Sequence, residues 1–261
     1  MVEAAKLAQE IKQKARSLGA DAAGLAAWPS LVAGPSPALE PQLAPYDGVG
    51  SASAPAGKAA RPAPASLLVV ALAHPVGRRE LDWWQEHLPR RTQGNQILAD
   101  ITLGVAAWLA ERHGITAWDL PYHPGRGGVY LKDAAVLAGL GCVGRNNLFL
   151  APGHGPRLRL RALALSVALP PDPPSAYDPC DGCRAPCREA CPQQALARPL
   201  FQGLAAPDHL PARDGSYDRL RCNRQMQADI AAGRQVTPPG LKHPVKQVRY
   251  CRRCELACLA R

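Results

Sequence analysis

Four cysteines stand within twelve residues, at Cys180, Cys183, Cys187 and Cys191, and Pro192 follows the last of them. Downstream lie an isolated Cys222 and a second group, Cys251, Cys254 and Cys258. Eight of the nine cysteines thus fall in the last third of the chain, and only Cys142 lies outside it. Thiols at this density either pair as disulfides or hold metal. The N-terminus, MVEAAKLAQEIKQKARSLGA, mixes acidic and basic residues and has no continuous apolar core, so it is not read as a secretory signal. No run reaches the roughly 18 apolar residues of a membrane-spanning helix. The expected location is the cytoplasm, with no membrane partner. Thiols stay reduced there, which favours metal or redox use over disulfides.

The first group is spaced Cys-x2-Cys-x3-Cys-x3-Cys-Pro, one residue longer in its second gap than the Cys-x2-Cys-x2-Cys-x3-Cys-Pro run of bacterial ferredoxins. A tight turn aims three sulfurs at one site, while the fourth cysteine opens a helix pointing away and serves another; Pro192 suits the first turn of that helix. The expected ligand sets are therefore crossed. Cys180, Cys183, Cys187 and Cys258 are assigned to one [4Fe-4S] cluster, and Cys222, Cys251, Cys254 and Cys191 to a second. Structural zinc on paired Cys-x2-Cys units is the alternative, but it leaves four cysteines without a role.

The formal charge is +10, and the segment from Cys180 onwards carries 14 Lys and Arg against 7 Asp and Glu. An Arg-rich solvated surface accounts for this, as does an acidic partner such as tRNA, a redox protein or an anionic cofactor. Apolar periodicity predicts helices over 3–18 and 96–112, and a short helix in VYLKDAAVLAGLG. ADAAGLAAW, LLVVALAHP, ITAWDLPYH, NLFLAP and the alternating RLRLRALALSVAL read as strands. Residues 33–66 are rich in Pro, Ala, Gly and Ser and read as a long loop. PPDPPSAYDP breaks the pattern near residue 170. Two domains are expected, 1–170 and 171–261.

Between the predicted helix and strand, LKDAAVLAGLGCVGRNNLFLAP holds a glycine-rich turn. Its glycines permit close backbone approach to a flat or phosphate-bearing ligand, and its Arg and Asn side chains can hold polar edges. An ordinary helix-to-strand turn is the plainer alternative. Together with GADAAGLA, CDGCRAPCREACPQQAL, YDRLRCNRQ and CRRCELAC, this stretch resembles the cobalamin-dependent epoxyqueuosine reductases and their distant relatives, the reductive dehalogenases. The resemblance is strong from 131 to 258 and weaker before 90.

That resemblance implies an α+β fold, with a nitroreductase-like α/β core for a corrinoid followed by a bacterial-ferredoxin-like domain with two [4Fe-4S] clusters. It implies cobalamin, held by Gly139, Gly141, Cys142, Gly144, Arg145, Asn146 and Asn147, and an oxidoreductase that reduces an unidentified electrophile through cob(I)alamin. An electron donor such as ferredoxin or flavodoxin is implied, with a small-molecule or corrinoid-protein substrate. The other readings are an electron-transfer protein serving a partner, and tRNA queuosine modification. The chain ends at Arg261, just after Cys258, so a short member without the C-terminal repeat domain is expected.

The family carries an acid at the start of a core helix, where RRTQGNQIL places Gly94 or Asn95. Neither is a general acid near neutral pH. Asp100, one and a half turns on, is the alternative acid, and Tyr122 and Tyr130 are candidate proton donors. Cys142 reads either as a small buried apolar residue or as a thiol facing the ligand. His74, which closes a central strand, and His123 are weaker candidates; His154, His209 and His243 lie in predicted loops.

Overall fold

The computed structural model describes residues 2–32, 64–122, 124, 128–200 and 212–261. Most of the predicted 33–66 loop, and His123 and His209, lie outside the described residues. Helix α1 (Val2–Ser17) leads into strand β1 (Ala22–Ala27) and a short α2 (Trp28–Val32). Strand β2 (Ser66–Ala73) follows, then a 3-10 segment (Val76–Asp82) and a two-residue strand β3 (Trp84–Gln85). Helix α3 (Gln93–His113), β4 (Ala117–Asp119), α4 (Leu131–Leu137), the β5 and β6 pair (Cys142–Val143, Phe149–Leu150) and β7 (Leu158–Leu165) complete the first part.

The main sheet has the order β1-β2-β7-β4, and every pairing is antiparallel. Strand β2 is central, and its run of Leu and Val is apolar throughout because both faces are covered. Leu68, Val70 and Leu72 face α1 and α3, packing with Ile11, Leu98, Ile101, Val105, Leu109 and Leu163. Leu67, Val69 and Ala71 face the opposite way, towards Ala134 and Ala135 of α4, Ala138 at its C-cap, and towards Phe149 and Ala162. This period-two alternation makes the sheet the middle of three layers.

Helix α3 begins three residues before its expected start. Thr92 is its N-cap, and the side-chain oxygen accepts a hydrogen bond from the Asn95 amide at 3.1 Å. Gly114, in the left-handed region at φ +63°, closes the helix. Strand β7 also departs from simple alternation. Arg161 is buried, and its Nε donates to Asp119 on β4 at 2.7 Å, so a residue expected to face water is satisfied by an internal ion pair.

The chain then runs along the edge of β1. Asp172 accepts from the Leu25 amide at 2.8 Å and returns a backbone hydrogen bond to the Leu25 carbonyl at 2.9 Å. Beyond it come α5 (Pro186–Glu189), α6 (Arg219–Ala231), β8 (Arg234–Val236), β9 (Val245–Val248) and α7 (Arg253–Leu256). A second sheet, β3-β9-β8, joins the two sides of residue 170, with Trp84 opposite Val248 and Gln235 opposite Lys246.

The mixed α/β content agrees with the sequence reading; the fold class as expected does not stand. Among the described residues, no group of three or more His, Cys, Asp or Glu side chains is placed to hold a metal ion. The C-terminal part is therefore not a ferredoxin-like domain organised around two clusters. Its order comes from the second sheet, from helix α6 with the single-turn α5 and α7, and from side chains bonded to backbone. Among the described residues, no helix is long and apolar enough to cross a membrane.

Candidate functional site

The glycine-rich turn and the cysteine segments meet. Helix α4 ends at a left-handed Gly139 (φ +68°), and Gly141 (φ +157°) follows. A Cβ on Gly139 would lie 2.2 Å from the Pro173 carbonyl oxygen, and one on Gly141 would lie 1.9 Å from that of Leu150. The space these glycines leave is filled by the chain's own backbone. Gly144 approaches Leu150 and the Asn146 side chain in the same way.

The polar residues of the turn reach the cysteines. The Arg145 amide donates to the Cys180 sulfur at 3.5 Å, and the Arg145 guanidinium donates to the Cys183 carbonyl at 2.7 Å. Asn146 is buried; its amide nitrogen donates to the Cys254 carbonyl at 3.5 Å, and its side-chain oxygen accepts from the Leu148 amide. Asn147 is held in the left-handed region at φ +59°. Its side-chain oxygen accepts from the Ala212 amide at 3.1 Å and its carbonyl from Lys132 at 2.8 Å.

All nine cysteines are free thiols. Burial pushes the Cys187 thiol up to about 11, with further upward pressure from Cys258, Cys180 and Cys183. Burial pushes Cys254 up to about 12, helped by Cys251, Cys222, Cys191 and then Cys187. Cys251 is raised by burial, with Asp229, Cys191 and Cys222 adding to it, and Cys258 is raised by burial together with Cys180 and Cys183. The sulfurs thus sort into two electrostatic neighbourhoods, Cys180, Cys183, Cys187 and Cys258 in one and Cys191, Cys222, Cys251 and Cys254 in the other. Cys142 borders the first: burial pushes it up to about 11, and Asp178, Cys180 and Cys258 contribute.

These neighbourhoods do not amount to metal sites. No three of the side chains converge as a ligand set among the described residues. Burial and mutual repulsion raise the thiols of Cys187, Cys251, Cys254 and Cys258 and favour the protonated form, which is a weak ligand. The expectation of two [4Fe-4S] clusters is corrected on this ground, as is the zinc alternative. The expected cobalamin fails on the same finding, and the glycine cradle offered for it is occupied by backbone.

The expected acid is also placed. Gly94 is packed against Arg159, and Asn95 accepts from Arg159 at 2.9 Å. Asp100 is exposed and accepts from Gln96, one turn away on the same helix, at 2.9 Å. Tyr122 is 57% exposed, while Tyr130 is half-buried at the start of α4. The carboxylate beside the RRTQGNQIL segment is instead Asp82, which the sequence reading did not single out. It sits within hydrogen-bonding distance of His74 Nδ1 at 2.5 Å, Arg159 Nε at 2.6 Å and Arg252 Nη1 at 2.6 Å. Burial pushes its pKa up. The His74 hydrogen bond and the charges of Arg159, His74 and Arg252 outweigh that and hold it below the usual carboxylate range. Arg252 also pairs with the buried Glu255, so this network ties the end of β2 and the start of α3 to the Cys251–Cys258 segment. No local motif marks Asp82, because two of its partners lie 77 and 170 residues away in sequence. The one available signal was His74 at the end of the central strand.

A search for matching family models finds none. In sequence the chain is 34% identical over 85 residues to a tetrachloroethene reductive dehalogenase of Desulfitobacterium hafniense, covering 32% of this chain and 15% of that one. It is 39% identical over 69 residues to an epoxyqueuosine reductase of Synechococcus, covering 26% of this chain and 21% of that protein. The chain therefore spans about a fifth or less of these curated relatives. In structure it superposes on epoxyqueuosine reductase from Bacillus subtilis with a TM-score of 0.62 at 18% identity, covering 97% of this chain and 65% of that one. The catabolic reductive dehalogenase NpRdhA gives a TM-score of 0.51 at 22% identity over 73% of this chain and 26% of its own. The chain shares the fold of the epoxyqueuosine reductases over nearly its whole length, and it carries weak, local sequence homology to them and to the reductive dehalogenases.

Proposed function

We propose that this protein is an oxidoreductase of the general kind its relatives are, with the cysteine segment as its electron-handling part and an electrophilic small molecule as its substrate. The observation that carries this reading is the sorting of eight cysteines into two neighbourhoods, with Arg145 and Asn146 of the glycine-rich turn bonded to the chain that bears them. Two thiols release two electrons and two protons to an electrophile by closing a disulfide, and an external reductant returns the pair to the dithiol. An apolar scaffold with polar clamps holds the sulfurs at fixed positions.

The test starts from anaerobically purified, fully reduced protein freed of reductant and follows its free-thiol count after addition of an epoxide or of a halogenated aromatic compound. Loss of two thiols for each electrophile reduced, reversed by dithiothreitol and absent in a Cys187→Ser, Cys254→Ser double variant, is the expected result. No loss of thiols with either electrophile or with ferricyanide overturns the proposal. A second reading, an electron carrier for a partner protein, draws on the exposure of Asp100 and Tyr122 and on the neutral Gly94 and Asn95. It predicts reversible thiol oxidation by ferricyanide with neither electrophile consumed.

A further inference from the structure

At the seam between the main sheet and the cysteine segment, one histidine has a nitrogen left over. His74 follows the last residue of β2 and is 5% exposed. Its Nδ1 lies 2.5 Å from the Asp82 carboxylate and 3.0 Å from Arg252 Nη2. These neighbours ask opposite things of Nδ1, since a carboxylate accepts and a guanidinium donates. A lone pair facing an ionised oxygen at 2.5 Å is repulsive, so Nδ1 carries the proton and donates to Asp82. Arg252 is satisfied elsewhere, its Nη2 donating to the His74 carbonyl at 3.3 Å and its Nε to Glu255 at 3.0 Å. A neutral imidazole has one N–H, so Nε2 on the other edge of the ring is a bare lone pair. It is buried and has no hydrogen-bond partner among the described residues.

An unpaired buried acceptor is costly, yet this one is fixed from several sides. Asp82 also accepts from Arg159 Nε and Arg252 Nη1, each at 2.6 Å, which keeps the carboxylate from turning away. The His74 amide donates to the Arg157 carbonyl at 3.0 Å. The charged groups of this network are Asp82, Glu255, Arg159 and Arg252, two of each sign. A carboxylate that orients an imidazole through one nitrogen and leaves the other free is an arrangement suited to moving protons. Arg252, the neighbour of Cys251 in the chain, ties it to the cysteine segment.

We infer that His74 is the proton carrier of the proposed reaction, with Nε2 as its working atom and Asp82 as the positioning residue. This rests on the reading of the cysteine segment as the electron-handling part. Closing one disulfide releases two electrons and two protons. An epoxide takes them up to leave an alkene and water, and an aryl halide takes them up to leave the arene and a hydrogen halide. The lone pair at Nε2 receives one of these protons and returns it to the electrophile.

The experiment compares wild type with His74→Asn and His74→Gln in the same free-thiol assay, with thermal unfolding recorded for each. Asn keeps an amide donor near the Nδ1 position for Asp82, and Gln places an amide nearer Nε2; neither titrates, and a fold lost in one leaves the other. Consumption of the electrophile should fall at least about 100-fold in both, the lower end of what a general acid–base group contributes. Ferricyanide takes electrons and leaves the protons to water, so it should oxidise the thiols of the variants at the wild-type rate. Equal consumption by wild type and either folded variant overturns the inference. A parallel loss of ferricyanide oxidation also overturns it, since that marks a structural histidine. If wild type loses no thiols to either electrophile or to ferricyanide, the functional reading fails and takes this inference with it. Oxidation of wild type by ferricyanide with neither electrophile consumed overturns the inference while leaving the electron-carrier reading standing.

Discussion

The main sheet and the cysteine segment are held by different forces. Strands β1, β2 and β7 are buried on both faces, and Leu25, Leu67, Leu68, Leu163 and Leu165 have no exposed surface. Beyond residue 170, the buried apolar residues among those described are mostly small, namely alanines and cysteines with Leu196, Val245 and Val248. Helix α6 buries none of its residues. What fixes the second region is charged and amide side chains donating to backbone, as with Arg145 to Cys183, Asn146 to Cys254 and Arg157 to Ala260. Asp229, accepting from the Cys251 amide at 2.7 Å, adds a carboxylate to the set. Apolar burial scales with area and is indifferent to charge, whereas polar clamps respond to pH and salt. The scaffold is built for stability and the cysteine region for position.

The largest expected effect breaks the scaffold. Leu163 is fully buried, is paired with Leu68 across β2 and β7, and packs beneath α1 and α3. Leu163→Ala should cost about 4 kcal/mol through lost burial and an unfilled cavity. Urea unfolding monitored by circular dichroism measures this, and a change below about 1 kcal/mol would show that the sheet is not the principal core.

Next is the junction. Asp82→Asn removes the carboxylate from between His74, Arg159 and Arg252, leaving Arg159 without its buried carboxylate and Arg252 with Glu255 alone. The expected cost is about 3 kcal/mol at neutral pH. The sign of the pH dependence follows from a folded-state pKa held below the unfolded value. The carboxylate's contribution is fully present above the unfolded carboxyl pKa of about 4, and it fades as pH falls through the folded value. The difference in melting temperature between wild type and variant should therefore be constant from neutrality down to about pH 5 and shrink below about pH 4. A difference that grew on acidification would contradict the assignment.

How much of this was visible in the sequence follows the same division. The run LLVVALA reads as a buried central strand because local apolar content alone decides it, and α1 and α3 read as helices from their apolar faces. The density of thiols in the last third was legible because it is a property of the sequence alone. The start of α3 was missed because a single threonine cap outweighs the absence of apolar residues at Gln93 and Gly94. Asp82 and the pairing of Trp84 with Val248 were not legible, since each depends on partners far away in the chain. The metal and corrinoid expectations came from residue types at family spacing, and spacing does not report whether side chains converge.

A smaller effect sharpens the comparison from the other side. Arg145→Ala removes a guanidinium donor from the Cys183 carbonyl while leaving its own amide on the Cys180 sulfur. Global stability should fall by only about 1 kcal/mol, the net worth of one hydrogen bond. Hydrogen exchange should nevertheless quicken at amides 180–188 and stay unchanged in β2. Equal acceleration in both regions would show that the clamp and the scaffold unfold as one unit.

The smallest effect concerns Asp100. Sequence position made it a candidate acid, yet its carboxylate lies on the exposed side of α3, with Gln96 of the same helix as its hydrogen-bond donor. Both neighbours are on one surface helix, so the interaction is local and water competes for it. Asp100→Ala should change stability by less than about 0.5 kcal/mol and leave thiol oxidation and electrophile consumption at the wild-type level. The contrast with Asp82 is the informative part, since the two carboxylates lie at either end of the same structural question. If Asp100→Ala abolished consumption while sparing thiol oxidation by ferricyanide, α3 would present its outer face to substrate, and the reactive surface would lie away from the seam. An unchanged Asp100 variant beside a disabled Asp82 variant would place the proton-handling chemistry where β2, α3 and the cysteine segment join, with the buried His74–Asp82 pair as its nearest titratable groups.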